Sequence, residues 1–228
     1  MHSYTCKAEF KAVKRDMTRL IFIRHGESLY NLERRYTGQT DVPLTEKGVL
    51  QAKITADYII ENYKIDEIYS SDLSRAVETA RPIADALGLT IKTDERLREI
   101  YAGEWQKLLF SEVKARYPEE YAEYKRSEGL KRTRGGESLI DVQERAYPAM
   151  LDIIRDNPGK TVLISSHNGP IKALLAKLLG IGLPEMKSVS INSVSEVLCE
   201  GGKYEVIKLG YDGHLGELVT SFKEKTAN

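Results

Sequence analysis

The residues of this chain best suited to chemistry are an arginine and a histidine side by side. Arg24-His25 ends the apolar run Leu20-Ile21-Phe22-Ile23 and is followed by Gly26-Glu27-Ser28 and Asn31. Four apolar residues fit a buried strand, and a glycine just beyond them marks the start of a loop. In an open α/β sheet, ligands collect at the carboxyl ends of parallel strands, where loop backbone and the next helix N-terminus both face an anion. A neutral imidazole in that place can attack phosphorus while the adjacent guanidinium holds the charged oxygens. Taken alone, the pair fits a surface strand cap better than a catalytic site, so the rest of the chain has to supply partners.

Those partners stand at the ends of other elements. Residues 65–69 form a short β-rich run leading into Ser70-Ser71-Asp72, with Arg75 close behind. Residues 90–97 supply a strand and a descending loop that carries Arg98, Glu99 and Tyr101. Residues 161–165 form a buried strand that delivers Ser166-His167-Asn168-Gly169 to a helix with Pro170 in its first turn, a close parallel to Ile23-Arg24-His25-Gly26. Two arginines and two histidines converging from separate strand ends can neutralise a phosphoryl dianion without a metal. No Asp, Glu or His set has ligand spacing, so the expectation is no metal and no cofactor.

The elements that must position these side chains alternate in type. Thr45 caps a helix with Leu50, Ala52, Ala56, Ile59, Ile60 and Tyr63 near helical spacing. A second helix carries Ala76, Thr79, Ala80, Ile83, Ala84 and Leu87, with Asp72 as its expected cap, Pro82 as a kink or early end, and Gly88 as its stop. Residues 108–130 read as a polar helical cap over the sheet edge or the pocket. After Gly135-Gly136 a further helix turns Leu139, Val142, Ala146, Met150, Ile153 and Ile154 inward, with a kink expected at Pro148. Gly180 closes the helix that follows His167, and Glu200-Gly201-Gly202-Lys203 joins two strands in a hairpin. The fold class expected is α/β: a three-layer α/β/α sandwich with a mostly parallel sheet, one antiparallel element and a small helical cap insertion.

A length of 228 residues suits one sizeable core, read here as a single domain over residues 18–228, a cap over about 106–134 and an extension over 1–17. Lysine plus arginine equals aspartate plus glutamate at 34 each, which excludes a whole-molecule field for nucleic acid or membrane, so anion binding has to be local. Cys6 and Cys199 match no disulfide framework, and no apolar run is long enough to span a bilayer, so a cytoplasmic location is expected. The expected partners are a small phosphorylated metabolite and, at most, a second copy of the chain in a homodimer.

Four segments, in this order, resemble the histidine phosphatase superfamily in its phosphoglycerate mutase-like branch: Arg24-His25-Gly26-Glu27-Ser28, the stretch Ser71-Asp72-Leu73-Ser74-Arg75-Ala76-Val77-Glu78-Thr79-Ala80, Leu97-Arg98-Glu99, and Ser165-Ser166-His167. The resemblance implies that His25 is a nucleophile forming a phosphohistidine. Arg24, Arg75 and His167 would hold the transferring group, Asn31 would hydrogen-bond it, and Glu99 would protonate the leaving oxygen. Gly38, Gln39 and Asn168 would line the substrate side. Three departures stand out. Gln106-Lys107 replaces a Glu-Gly that usually follows the tryptophan, Asn168 precedes a glycine that usually follows the histidine directly, and Gln39 stands where mutases carry an aromatic. Asn168 tolerates left-handed geometry, which would keep its backbone near the phosphate and aim its amide at substrate.

The activity this implies is a phosphomonoesterase, with a phosphoglycerate mutase as the alternative and a non-catalytic phospholigand-binding module as the third reading. The short, proline-poor cap favours the phosphatase, because a mutase must exclude water and hold its substrate with extra cations. Outside these motifs, His2 and His214 are expected to be solvated and Trp105 to anchor the core or cap.

Overall fold

Alternation along β1 (Thr18–Arg24) sets the plan of the molecule. Leu20 and Phe22 point into one hydrophobic core and Ile21 and Ile23 into another, as befits a central strand covered by helices on both faces. The structure is a computed structural model describing residues 17–220, so of the expected extension only Met17 is described, and His2 and Cys6 lie outside the described residues.

Along the chain β1 is followed by α1 (Leu29–Leu32), α2 (Glu46–Asn62), β2 (Glu67–Ser70), α3 (Ser74–Leu87), β3 (Ile91–Thr93), α4 (Phe110–Arg116) and α5 (Pro118–Arg126). Then come α6 (Leu139–Asp156), β4 (Thr161–Ser166), α7 (Asn168–Leu179), β5 (Val194–Glu200) and β6 (Lys203–Tyr211). The strands form one sheet in the order β3-β2-β4-β1-β5-β6. The first four are mutually parallel, whereas β5 runs antiparallel to β1 and β6 antiparallel to β5. Gly201 and Gly202 make the tight hairpin turn, with φ of 56° and 77°. Helices α2 and α3 cover one face and α6 and α7 the other, which gives the three layers.

Several local expectations are corrected. The buried face of α2 is Gly48, Gln51, Ala52, Thr55, Ala56 and Ile59, while Leu50 and Ile60 are exposed. The helix is phased by Gly48, whose backbone packs so closely on the loop after β1 that a Cβ there would collide with the Glu27 carbonyl. Asp72 does not cap α3. Leu73 takes that position, and the Asp72 carboxylate accepts from Arg98 Nε at 2.7 Å. Helices α3 and α6 run through Pro82 and Pro148 without ending, and α3 stops where Gly88 adopts a φ of 65°. His214 is not solvated: Nε2 lies 2.7 Å from Thr55 Oγ1, and its ring stacks on Tyr58 at 4.8 Å.

The cap consists of α4, α5 and the loops on either side. Its anchor is the buried Trp105, packed with Val113 and ringed by Tyr36, Tyr117, Tyr121 and Tyr124. Among the described residues no helix is long and apolar enough to cross a membrane.

Candidate active site

Strands β1 and β4 are neighbours in parallel register, with Arg24 opposite Ser166, and the His25 N–H donates to the Ser166 carbonyl at 2.9 Å. The loops leaving the two strands therefore run side by side. They hold the rings of His25 and His167 at 5.0 Å between centroids, edge to face at 61°. Nδ1 of His25 lies 2.7 Å from the carbonyl oxygen of Gly26. A carbonyl only accepts, so Nδ1 carries the hydrogen and the Nε2 lone pair is left to attack. Burial, reinforced by the charges of Arg75 and Arg24, holds both imidazoles well below the ordinary histidine range, so both are neutral near pH 7.

The two arginines are clamped through their outer nitrogens. Arg24 donates from Nη1 to the Val189 carbonyl at 2.6 Å, and Arg75 donates to the carbonyls of Thr40 and Gly38 at 2.9 and 2.8 Å. Burial lowers both guanidinium pKa values to about 10, and the nearby Glu99 carboxylate works the other way; both stay cationic. Three buried nitrogens around His25 have no hydrogen-bond partner: Arg24 Nε, Arg75 Nε and His167 Nδ1. An orphaned buried donor costs on the order of 1–3 kcal/mol.

Glu99 completes the group. Its Oε1 accepts from the backbone N–H groups of Ile100 and Gly169, both at 2.9 Å, which ties it to the first turn of α7. Its own carbonyl accepts from Gln39 Nε2 at 3.1 Å and from Arg145 Nη2 at 2.9 Å. Arg145 is in turn paired with Glu137 at 2.8 Å. Glu104, the next carboxylate along, is exposed and lies 3.4 Å from the Tyr117 hydroxyl.

The sequence profile of the Histidine phosphatase superfamily (branch 1) matches residues 20–212. The chain belongs to this superfamily. It is 34% identical over 203 residues to phosphoserine phosphatase 1 of Hydrogenobacter thermophilus, covering 88% of this chain and 96% of that protein. It is 38% identical over 170 residues to the probable phosphoglycerate mutase GpmB of Yersinia pestis, covering 72% and 76%. Among solved structures, Bacillus stearothermophilus YhfR superposes with a TM-score of 0.82 at 33% identity, covering 87% of this chain and 99% of that one. Histidine phosphatases of this branch work without a metal, and among the described residues no group of three or more His, Cys, Asp or Glu side chains is gathered as a metal site.

The remaining residues singled out in this histidine phosphatase serve the frame of the pocket. Asn31 Oδ1 accepts from the Ser28 N–H at 3.1 Å and the Ser28 hydroxyl at 2.9 Å, capping α1 and leaving Nδ2 available. Gly38 takes a φ of 52°, offers its carbonyl to Arg75, and has the Gln106 amide where a Cβ would stand. Gln39 is spent on the frame: its N–H donates to Gln106 Oε1 at 2.7 Å and its amide holds the Glu99 backbone. Asn168 is not left-handed. It opens α7, and its side chain braces Ser188 at 3.3 Å and the Val189 N–H at 3.1 Å. Glu27 binds Thr45 Oγ1 at 2.9 Å and Thr220 Oγ1 at 3.0 Å, a structural post beneath the loop.

Sequence reasoning gave Ser71 and Arg145 no role in this pocket, whereas Gln106 was noted as a departure in its wall. Arg145 gave a signal, being a charged residue three positions after Val142 on the inward face of α6, and Ser71 gave one by opening the second motif segment.

Proposed function

We propose that the protein hydrolyses a small phosphomonoester through a phosphohistidine at His25. Nε2 of His25 attacks phosphorus and the ester oxygen departs with a proton from Glu99; water then attacks the phosphohistidine, giving a proton to the Glu99 carboxylate, which releases inorganic phosphate and regenerates both the imidazole and the acid. Arg24, Arg75 and His167 carry the phosphoryl oxygens through both steps, with Asn31 Nδ2 as a further donor. The observation that carries this reading is the set of three unpartnered buried nitrogens around a histidine whose attacking lone pair is free.

A mutase shares the first step and differs in what meets the phosphoenzyme. The cap here has two short helices of 7 and 9 residues, which favours access for water over a closed chamber. Phosphoserine and glycerate phosphates are the first substrates to try, given the names of the relatives. Incubation with labelled substrate and rapid quenching in alkali should trap phosphohistidine in the native protein and none in His25→Ala. Equal label in the variant would overturn the assignment, and transfer of label to a second acceptor without free phosphate would favour the mutase.

A further inference from the structure

The aim of Arg75 depends on a side chain outside the group described above. Arg75 is fully buried, and among the described residues its guanidinium bonds to two carbonyls only, those of Thr40 and Gly38. A buried cation held by peptide dipoles is only as well aimed as those peptides are. With both outer nitrogens engaged, the two carbonyls also set the direction in which the unpartnered Nε points.

The Gly38 carbonyl shares its peptide group with the Gln39 N–H, and that N–H donates to Gln106 Oε1 at 2.7 Å. One peptide plane is therefore held at both ends, by Gln106 on its N–H and by Arg75 Nη2 on its carbonyl at 2.8 Å. Hydrogen bonds in series polarise one another, so the Gln106 amide both orients the Gly38 carbonyl and strengthens it as an acceptor. The fit leaves no slack: a Cβ on Gly38 would collide with Gln106 Oε1.

Gln106 is itself fixed by the cap. It follows Trp105, the fully buried cap anchor, and donates its N–H to the Gly103 carbonyl at 3.1 Å. The Lys107 N–H donates to the Tyr36 carbonyl, and the Tyr36 N–H donates to the Leu108 carbonyl, both at 2.9 Å. Tyr36 lies two residues before Gly38, so the two segments meet once through backbone and again through the Gln106 side chain.

We infer that Gln106 is a positioning residue that, acting through the Gly38–Gln39 peptide, aims Arg75 at the phosphoryl group, so that an uncharged side chain of the cap sets the grip of the pocket on phosphate. The inference rests on the proposed phosphomonoesterase reading, because it takes the phosphoryl group to sit between His25 and Arg75.

Binding of inorganic phosphate, followed by phosphorus NMR titration, tests this without turnover. Gln106→Met keeps the reach of the side chain but offers no amide oxygen, and should weaken phosphate about tenfold. Gln106→Glu restores an acceptor for the Gln39 N–H and should return the affinity to within about threefold of native. Arg75→Lys keeps a charge but has no fork to aim, so in that background Gln106→Met should cost less than about twofold. The same tenfold loss in both backgrounds would mean a general loosening of the pocket and overturn the inference. Native affinity in Gln106→Met, or a Gln106→Glu protein as weak as Gln106→Met, would overturn it too. Failure to trap label on His25 with the phosphate affinities as expected would sink the phosphohistidine reading alone, and a native protein that does not bind phosphate would sink both.

Discussion

The hydroxyl of Ser71 and Nε2 of His167 stand 2.9 Å apart, both fully buried. Ser71 Oγ accepts from the Leu73 N–H at 3.3 Å, and among the described residues the imidazole is the one acceptor within reach of its hydrogen, which favours donation to Nε2. That assignment puts the ring hydrogen of His167 on Nδ1, where it becomes a donor for a phosphoryl oxygen. Ser71→Ala should lower kcat/KM by about tenfold, equivalent to about 1.4 kcal/mol, while Ser71→Thr keeps most of it. Nitrogen NMR of the native protein should report His167 protonated at Nδ1, with a tautomer mixture in Ser71→Ala. A native His167 protonated at Nε2 would refute the relay.

Glu99 is expected to act on the leaving group. General acid catalysis contributes on the order of 10²- to 10⁴-fold and matters most for poor leaving groups. Glu99→Gln should therefore slow an alkyl phosphate far more than a nitrophenyl phosphate, whose oxygen departs without help. Glu104→Gln should leave the ratio of the two rates alone, since that carboxylate faces Tyr117. A selective loss in Glu104→Gln, with Glu99→Gln slowing both esters alike, would reassign the acid.

Stability should fall with acid in a way traceable to two residues. His25 and His167 have pKa values well below the 6.5 of an ordinary histidine, chiefly from burial. The unfolded chain thus takes up protons first as the pH drops, so stability is complete above about 6.5 and declines below it by about 1.4 kcal/mol per pH unit for each histidine. Denaturant unfolding from pH 7 to pH 5 measures this slope, and His167→Gln should remove about half of it. An identical slope in the variant would place the proton uptake elsewhere.

Much of this arrangement was legible in the sequence because local rules and tertiary demands agree there. The apolar runs of β1 and β4 end at Arg24-His25 and Ser166-His167, and strands buried on both faces show themselves as continuous apolar stretches. Gly88 and Gly180 end their helices in left-handed geometry, and Gly201-Gly202 turns the hairpin, each for a backbone reason visible in one residue.

What stayed hidden depends on contacts between distant segments. Asp72 looks like a helix cap until Arg98, 26 residues away, claims its carboxylate. Leu50 and Ile60 look inward-facing until the contact of Gly48 with the Glu27 carbonyl fixes the rotation of α2 and turns Gln51 and Thr55 into the interior. The side chain of Asn168 is held by Ser188 and Val189, a loop with no local signature.

The clamping of Arg24 and Arg75 by the carbonyls of Val189, Thr40 and Gly38 reaches beyond a single turnover. Forks already locked in place do not need to rearrange on binding, so they offer the departing inorganic phosphate the same welcome as the arriving ester. On the phosphomonoesterase reading proposed above, inorganic phosphate should therefore compete with the ester for these two forks. On that reading the surrounding phosphate level would act as a throttle, and selectivity would have to come from the part of the substrate that phosphate lacks.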